Sequence, residues 1–169
     1  MGPAVAWEMT FVEHFRQFGF EEGGPEHQGY AAELEATKDS VKRMREAGIR
    51  VLIGGDYGLN ITPHGSYAKE LEYFTRDFGF SPAEALQAAT KHGGEAFMPG
   101  GNLGTLEPGQ LADMVIVKGN PLEDITVLQN PNNIPAVIKD GQIYAGLLCS
   151  DSPYLLSAGD LSPLLGAPA

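Results

Sequence analysis

The feature that most constrains the fold is the short apolar run Ile49-Arg50-Val51-Leu52-Ile53-Gly54-Gly55, which ends on Asp56 and opens the loop Tyr57-Gly58-Leu59-Asn60-Ile61-Thr62-Pro63-His64-Gly65. Nearly continuous apolar character is the pattern of a strand buried on both faces of a parallel sheet, whereas a sheet with one wet face alternates. Upstream, Leu34, Val41 and Met44 lie close to helical spacing among charged residues, and Gly48 is placed to end that helix, expected over residues 31–47. A helix leading into a buried parallel strand makes one barrel unit. A carboxylate at the carboxyl end of such a strand is where (β/α) barrels keep their chemistry, so Asp56 is the first candidate catalytic residue.

The flanking segments extend the pattern. Aromatics Trp7, Phe11, Phe15, Phe18 and Phe20 precede the acidic, glycine-rich stretch Glu21-Glu22-Gly23-Gly24. They predict a short helix over residues 11–18 and then a solvated loop. Tyr67, Leu71, Phe74 and Phe78 recur at helical spacing and predict a helix with one aromatic face. In Ser81-Pro82-Ala83-Glu84 a capping serine, a proline at the first helical position and a glutamate three residues after the cap announce a helix start. That helix is expected to stop near Gly93-Gly94, which puts His92 close to a helix C-terminus, where a cation suits the dipole. Beyond Gly100 the texture becomes glycine-punctuated β structure, with strands predicted over residues 112–117, 134–139 and 142–147 and a hairpin turn at Asp140-Gly141. Asp113 and Asp124 are expected to organise turns there. Residues 150–169, rich in Ser, Pro, Gly and Leu, read as a loosely ordered or docked tail.

Composition removes several function classes. A net charge of −11, from 22 acidic against 11 basic residues, repels phosphate backbones and anionic lipid surfaces, so nucleic acid and membrane partners are not expected. Cys149 is the single cysteine and cannot form an internal disulfide, which fits a reducing compartment and points to the cytoplasm. No stretch approaches the roughly 18 apolar residues of a membrane span. Neither a phosphate-cradling glycine loop nor a Gly-x-Ser-x-Gly elbow is present.

Three blocks together resemble the metal-dependent amidohydrolase superfamily, in its imidazolonepropionase-like or prolidase-like branch. Residues 47–56 look like its eighth barrel strand with the terminal aspartate. Phe80-Ser81-Pro82-Ala83-Glu84-Ala85-Leu86-Gln87-Ala88-Ala89-Thr90 resembles the helix that follows. Leu103-Gly104-Thr105-Leu106-Glu107-Pro108-Gly109-Gln110-Leu111-Ala112-Asp113-Met114-Val115-Ile116-Val117 resembles the return into its small β-sandwich. The resemblance implies an α/β fold: the last units of a (β/α)8 TIM-type barrel plus the C-terminal strands of the sandwich. Residues 1–99 are then the end of the barrel, residues 100–148 part of the composite β domain, and residues 149–169 the tail.

The resemblance also implies metal-assisted hydrolysis of a C–N bond in a small-molecule amide, a peptide or a cyclic amide, with a divalent metal, zinc foremost, activating water. By motif position Asp56 touches that metal and shuttles the proton. His64, in the loop that follows, either contacts substrate or is bonded to its own loop. Family sites further require a His-x-His pair and histidines on middle strands, yet His14, His27, His64 and His92 are the only histidines and no two are one residue apart. A catalytic zinc takes three protein ligands and a water. The isolated chain is therefore expected to hold no metal and to have little hydrolytic activity, with a complementary chain or a homo-oligomer completing the barrel. The alternative is a noncatalytic interaction subunit whose open edge pairs with another polypeptide. His14 and His27 read as exposed or locally bonded side chains.

Overall fold

A computed structural model of the chain describes residues 2–146 and residue 148; the predicted tail and Leu147, at the end of the last predicted strand, lie outside the described residues. Helix α1 (Val5–Glu13) is followed at His14 by a separate 3₁₀ turn over Phe15–Phe18, replacing the single helix expected across residues 11–18. The break brings Phe18 back onto Phe11, ring centroids 4.4 Å apart, with Tyr30 stacked on Phe11 at 4.3 Å. In a continuous helix Phe18 would lie about 10 Å along the axis from Phe11.

Helix α2 (Pro25–Glu46) begins earlier than its apolar spacing predicts, because Gly24 is the N-cap and Pro25 fits the first turn. It ends as expected at Gly48, whose φ is +72°. The Gly48 amide donates to the Arg45 carbonyl (3.0 Å) and the Ile49 amide to the Met44 carbonyl (2.9 Å), a Schellman closure.

Residues 49–57 then run without regular secondary structure, which corrects the predicted buried strand. A strand exists only as a paired element. Among the described residues, no backbone group of residues 51–55 takes part in a backbone–backbone hydrogen bond. Val51 is buried, but Ile49 is 52% exposed. The apolar run is in place and its neighbours are not among the described residues.

Helix α3 (Ala68–Asp77) buries Leu71 and Phe74, with Phe78 just past its end, as the aromatic spacing predicts, but Tyr67 precedes the helix and is 48% exposed; Tyr73 and Glu70 are buried as well. Helix α4 (Pro82–Ala89) opens with the expected capping box: Ser81 Oγ accepts from the Glu84 amide and Glu84 Oε2 accepts from the Ser81 amide at 2.7 Å. The helix stops at Thr90 rather than near Gly93, and a second helix, α5 (Lys91–Phe97), follows. His92 therefore lies in the first turn of α5, not near a helix C-terminus. Gly94 has a different task, for a Cβ there would sit 2.4 Å from the Leu103 carbonyl oxygen. At Gly104 a Cβ would sit 2.5 Å from the Thr90 carbonyl oxygen. These glycines permit two backbones to cross.

Strands β1 (Met114–Ile116), β2 (Ala136–Lys139) and β3 (Gln142–Ala145) form an antiparallel sheet in that order, with Met114 opposite Ile138 and Ile138 opposite Ile143. Asp140 (φ +48°) and Gly141 (φ +76°) make the expected tight turn, both central residues in the left-handed region. Asp124 accepts from the Thr126 amide at 2.9 Å and Asp113 accepts from the Asp140 amide at 2.7 Å, so both organise turns. Val5, Met9, Leu34, Val41, Leu71, Phe74, Phe80 and Ala85 share one core, where α1 to α4 meet. Among the described residues no helix is long and apolar enough to cross a membrane.

The adjacent glycines of α5 should respond oppositely to the same substitution. A Cβ at Gly93 meets only ordinary contact, at 3.6 Å. Gly93→Ala should hold or raise stability by about 0.5–1 kcal/mol through helix propensity, and Gly94→Ala should cost about 1–3 kcal/mol by overpacking. Urea denaturation of the two variants checks the contrast.

Candidate active site

The residues around Asp56 are held from several directions. Asp56 has φ +54°, a left-handed conformation that aspartate tolerates better than most side chains. Its carbonyl accepts from the buried hydroxyl of Thr62 at 2.7 Å. Thr62 is itself tied to the loop, its amide donating to the Leu59 carbonyl (3.1 Å) and its carbonyl accepting from the Gly58 amide (2.9 Å). Gly55 admits no side chain, since a Cβ there would lie 2.7 Å from both Ala6 Cβ and the Tyr57 ring. The Asp56 carboxylate is exposed and takes no hydrogen bond or ion pair from the described residues. The backbone is fixed and the functional group is open.

His64 lies on the same loop. Its Nδ1 is 2.8 Å from the Tyr67 hydroxyl, and its Nε2 would be 3.1 Å from a Cβ at Gly58, so the ring covers the backbone two residues past Asp56. No hydrogen bond joins His64 to Asp56 among the described residues. His27 accepts from the Gly23 amide at 3.0 Å and stacks on Phe15, and His14 is exposed at the end of α1, as expected of both. The described residues contain no group of three His, Cys, Asp or Glu placed to hold a metal ion. An open groove of about 760 Å³, lined among others by Glu35, Lys38, Lys42 and Glu84, includes neither Asp56 nor His64.

Glu70 and Tyr57 were not legible as site residues. Glu70 is 0% exposed, its Oε2 accepts from the Tyr57 hydroxyl at 3.2 Å, and its Oε1 is buried without a hydrogen-bond partner. Burial pushes the Glu70 carboxyl up to about 7, against the opposing pull of the Tyr57 hydroxyl and of the Ala6, Gly54 and Val5 amides. Burial and the Glu70 carboxylate raise Tyr57 in turn. One signal was available: Glu70 follows Tyr67 by three residues and precedes Phe74 by four, so it falls within the apolar stripe of α3.

These elements define an α/β chain, helices with a small antiparallel sheet, that presents one open carboxylate on a fixed turn. Residues 29–144 match the amidohydrolase family, and the chain belongs to it. It is 34% identical over 116 residues to ochratoxinase of Aspergillus niger, covering 68% of this chain and 24% of that enzyme. The A. niger ochratoxinase crystal structure aligns with a TM-score of 0.68 and 28% identity, over 81% of this chain and 31% of that one. Imidazolonepropionase of Haloarcula marismortui is 31% identical over 115 residues, 68% of this chain and 27% of its own length. A Xaa-Pro dipeptidase solved with methionine in its active site aligns with a TM-score of 0.65 and 31% identity, over 86% of this chain and 34% of that one. The chain thus spans 24% and 27% of these two curated relatives.

Glu70 makes stability depend on pH. Because its acidity is weakened on folding, from 4.5 to about 7, its stabilising contribution is complete below 4.5 and is lost as pH rises through 7. Relative to wild type, Glu70→Gln should therefore gain on the order of 3 kcal/mol across that window. Urea unfolding of both proteins at several pH values measures the difference.

Proposed function

We propose that this chain contributes the carboxylate of a metal-assisted hydrolase site that cleaves a C–N bond in an amide, peptide or cyclic amide. The single observation that carries the reading is Asp56: an exposed carboxylate, unpaired among the described residues, on a fixed left-handed turn at the end of an apolar run, inside the family match. In this reading residues 1–99 are the final units of a (β/α)8 barrel and residues 100–148 part of a composite β-sandwich. Residues 149–169 are a tail. The Asp56 carboxylate takes the proton of the attacking water and returns it to the leaving nitrogen, and His64, steadied by Tyr67, contacts the substrate. The donor set in hand does not fit a metal on its own, since one carboxylate is far from the three ligands a catalytic zinc takes. In a completed site Asp56 would supply one oxygen ligand to a divalent ion, zinc by preference, and a complementary chain or second copy would have to supply the others. The net charge of −11 and the single cysteine support a cytoplasmic setting and a small neutral or cationic substrate.

A second reading is favoured by the lack, among the described residues, of backbone–backbone hydrogen bonds at residues 51–55 and by the exposed apolar side chains of the sheet, Val115 at 56% and Ile143 at 49%. Such edges invite pairing. A complementary polypeptide or a second copy covers them, and in this reading the chain is a noncatalytic interaction subunit.

The test mixes the purified chain with any polypeptide encoded just upstream that carries the missing histidine motifs. Metal content and hydrolysis of a dipeptide and cyclic-amide panel are then measured. The hydrolase reading expects both only in the mixture, with turnover falling about 10²–10⁴-fold in Asp56→Asn. Stoichiometric metal on the chain alone, or unchanged turnover in Asp56→Asn, would overturn it.

A further inference from the structure

We propose that Glu70 is the positioning residue of this site: its buried carboxyl group accepts from the hydroxyl of Tyr57, the residue that follows Asp56, and so sets where Asp56 stands. The inference rests on reading Asp56 as the functional carboxylate.

The geometry starts at α1. Its N-cap position is Ala4, which has no side chain able to cap, and the Trp7 and Glu8 amides bond back to the Ala4 carbonyl. The Val5 and Ala6 amides belong to the first turn and have no acceptor within the helix. These amides and that of Gly54 pull the Glu70 carboxyl down against the larger effect of burial, while its hydrogen bond among the described residues comes from Tyr57. Tyr57 closes the arrangement from the other side through its hydroxyl. Asp56 is therefore followed by a residue fastened to Glu70, while Ala6 and the Tyr57 ring fill the space that a side chain at Gly55 would need. Helix α1 lies outside residues 29–144, so this bracing of the turn involves a segment beyond the family match.

Oε1 is buried without a hydrogen-bond partner among the described residues. An ionised carboxylate attracts N–H donors more strongly than a neutral acid, so ionisation draws the Val5, Ala6 and Gly54 amides inward and protonation releases them. The groups acting on Glu70 are Tyr57 and these amides. Tyr67 and Tyr73 reach Tyr57, and the acidic side chain on the first turn of α1, Glu8, is turned away to the Thr37 hydroxyl at 2.9 Å.

Amide spectra of the isotope-labelled full chain, recorded by NMR from about pH 5 to about pH 9, test this. In wild type the Val5, Ala6, Gly54, Asp56 and Tyr57 amides should move together with one midpoint near 7. Glu70→Gln should abolish the transition at all five. Tyr57→Phe should leave it at Val5 and Ala6 and reduce its amplitude at Asp56 at least twofold, which a merely structural role would not do. If Glu70→Gln fails to fold, Tyr57→Phe decides alone. An Asp56 amide static in wild type, a transition that persists in Glu70→Gln, or an undiminished amplitude at Asp56 in Tyr57→Phe would overturn the proposal. No hydrolysis is read, so failure of the hydrolase reading and failure of this inference are told apart.

Discussion

Burial of Glu70 is the constraint around which the helical half is arranged. An ionised carboxylate taken out of water costs several kcal/mol unless it is paired and hydrogen-bonded, and here one oxygen has a tyrosine hydroxyl and the other has no hydrogen bond among the described residues. The group stays inside because the surface that would have to open is the core itself. Leu71 and Phe74 on the same helix, and Val5 and Met9 on α1, are buried in one cluster. Moving the carboxyl to solvent would part α1 from α3. Polar ties at the far side reinforce the same joint: Tyr73 donates to Glu13 at 3.1 Å, and Arg76 pairs with Glu13.

Local chemistry was readable and non-local chemistry was not. The Ser81-Glu84 box, the Gly48 helix stop and the Asp140-Gly141 turn each depend on a few consecutive residues, and each stands where its sequence places it. The run at residues 49–55 is a different kind of object. Its apolar pattern states a preference for a sheet interior, but a ladder requires neighbours, and none is among the described residues. Gly94 misled for a related reason: a glycine demanded by a crossing backbone looks, in one dimension, like a glycine that ends a helix. Glu70 was passed over because a charged residue is ordinarily assigned to the wet face, and only its place in the α3 stripe argued otherwise.

The candidate site shows the same division. Asp56 is proposed because its meaning is positional, a carboxylate after an apolar run, inside the segment that matches the family. The open carboxylate and the fastened backbone beneath it are complementary. A group that must meet reactants from outside has to be left without internal partners, and it holds its place only if neighbouring atoms carry the restraint. Thr62, Gly55 and Tyr57 do so, and none of them announces that role in the sequence.

Arg45 draws a longer line through the molecule. Its guanidinium lies 4.0 Å over the Phe80 ring, donates to the Gly79 carbonyl at 2.7 Å, and pairs with Glu84 Oε1 at 2.8 Å. Glu84 is also the carboxylate that closes the capping box through its other oxygen. A helix-start signal written in four adjacent residues thus has a fifth member on α2. The beginning of one helix and the last turn of another are tied together by the same side chain. A planar, forked cation can serve a ring face, a carbonyl and a carboxylate at once, and a lysine at this position would have to choose among them.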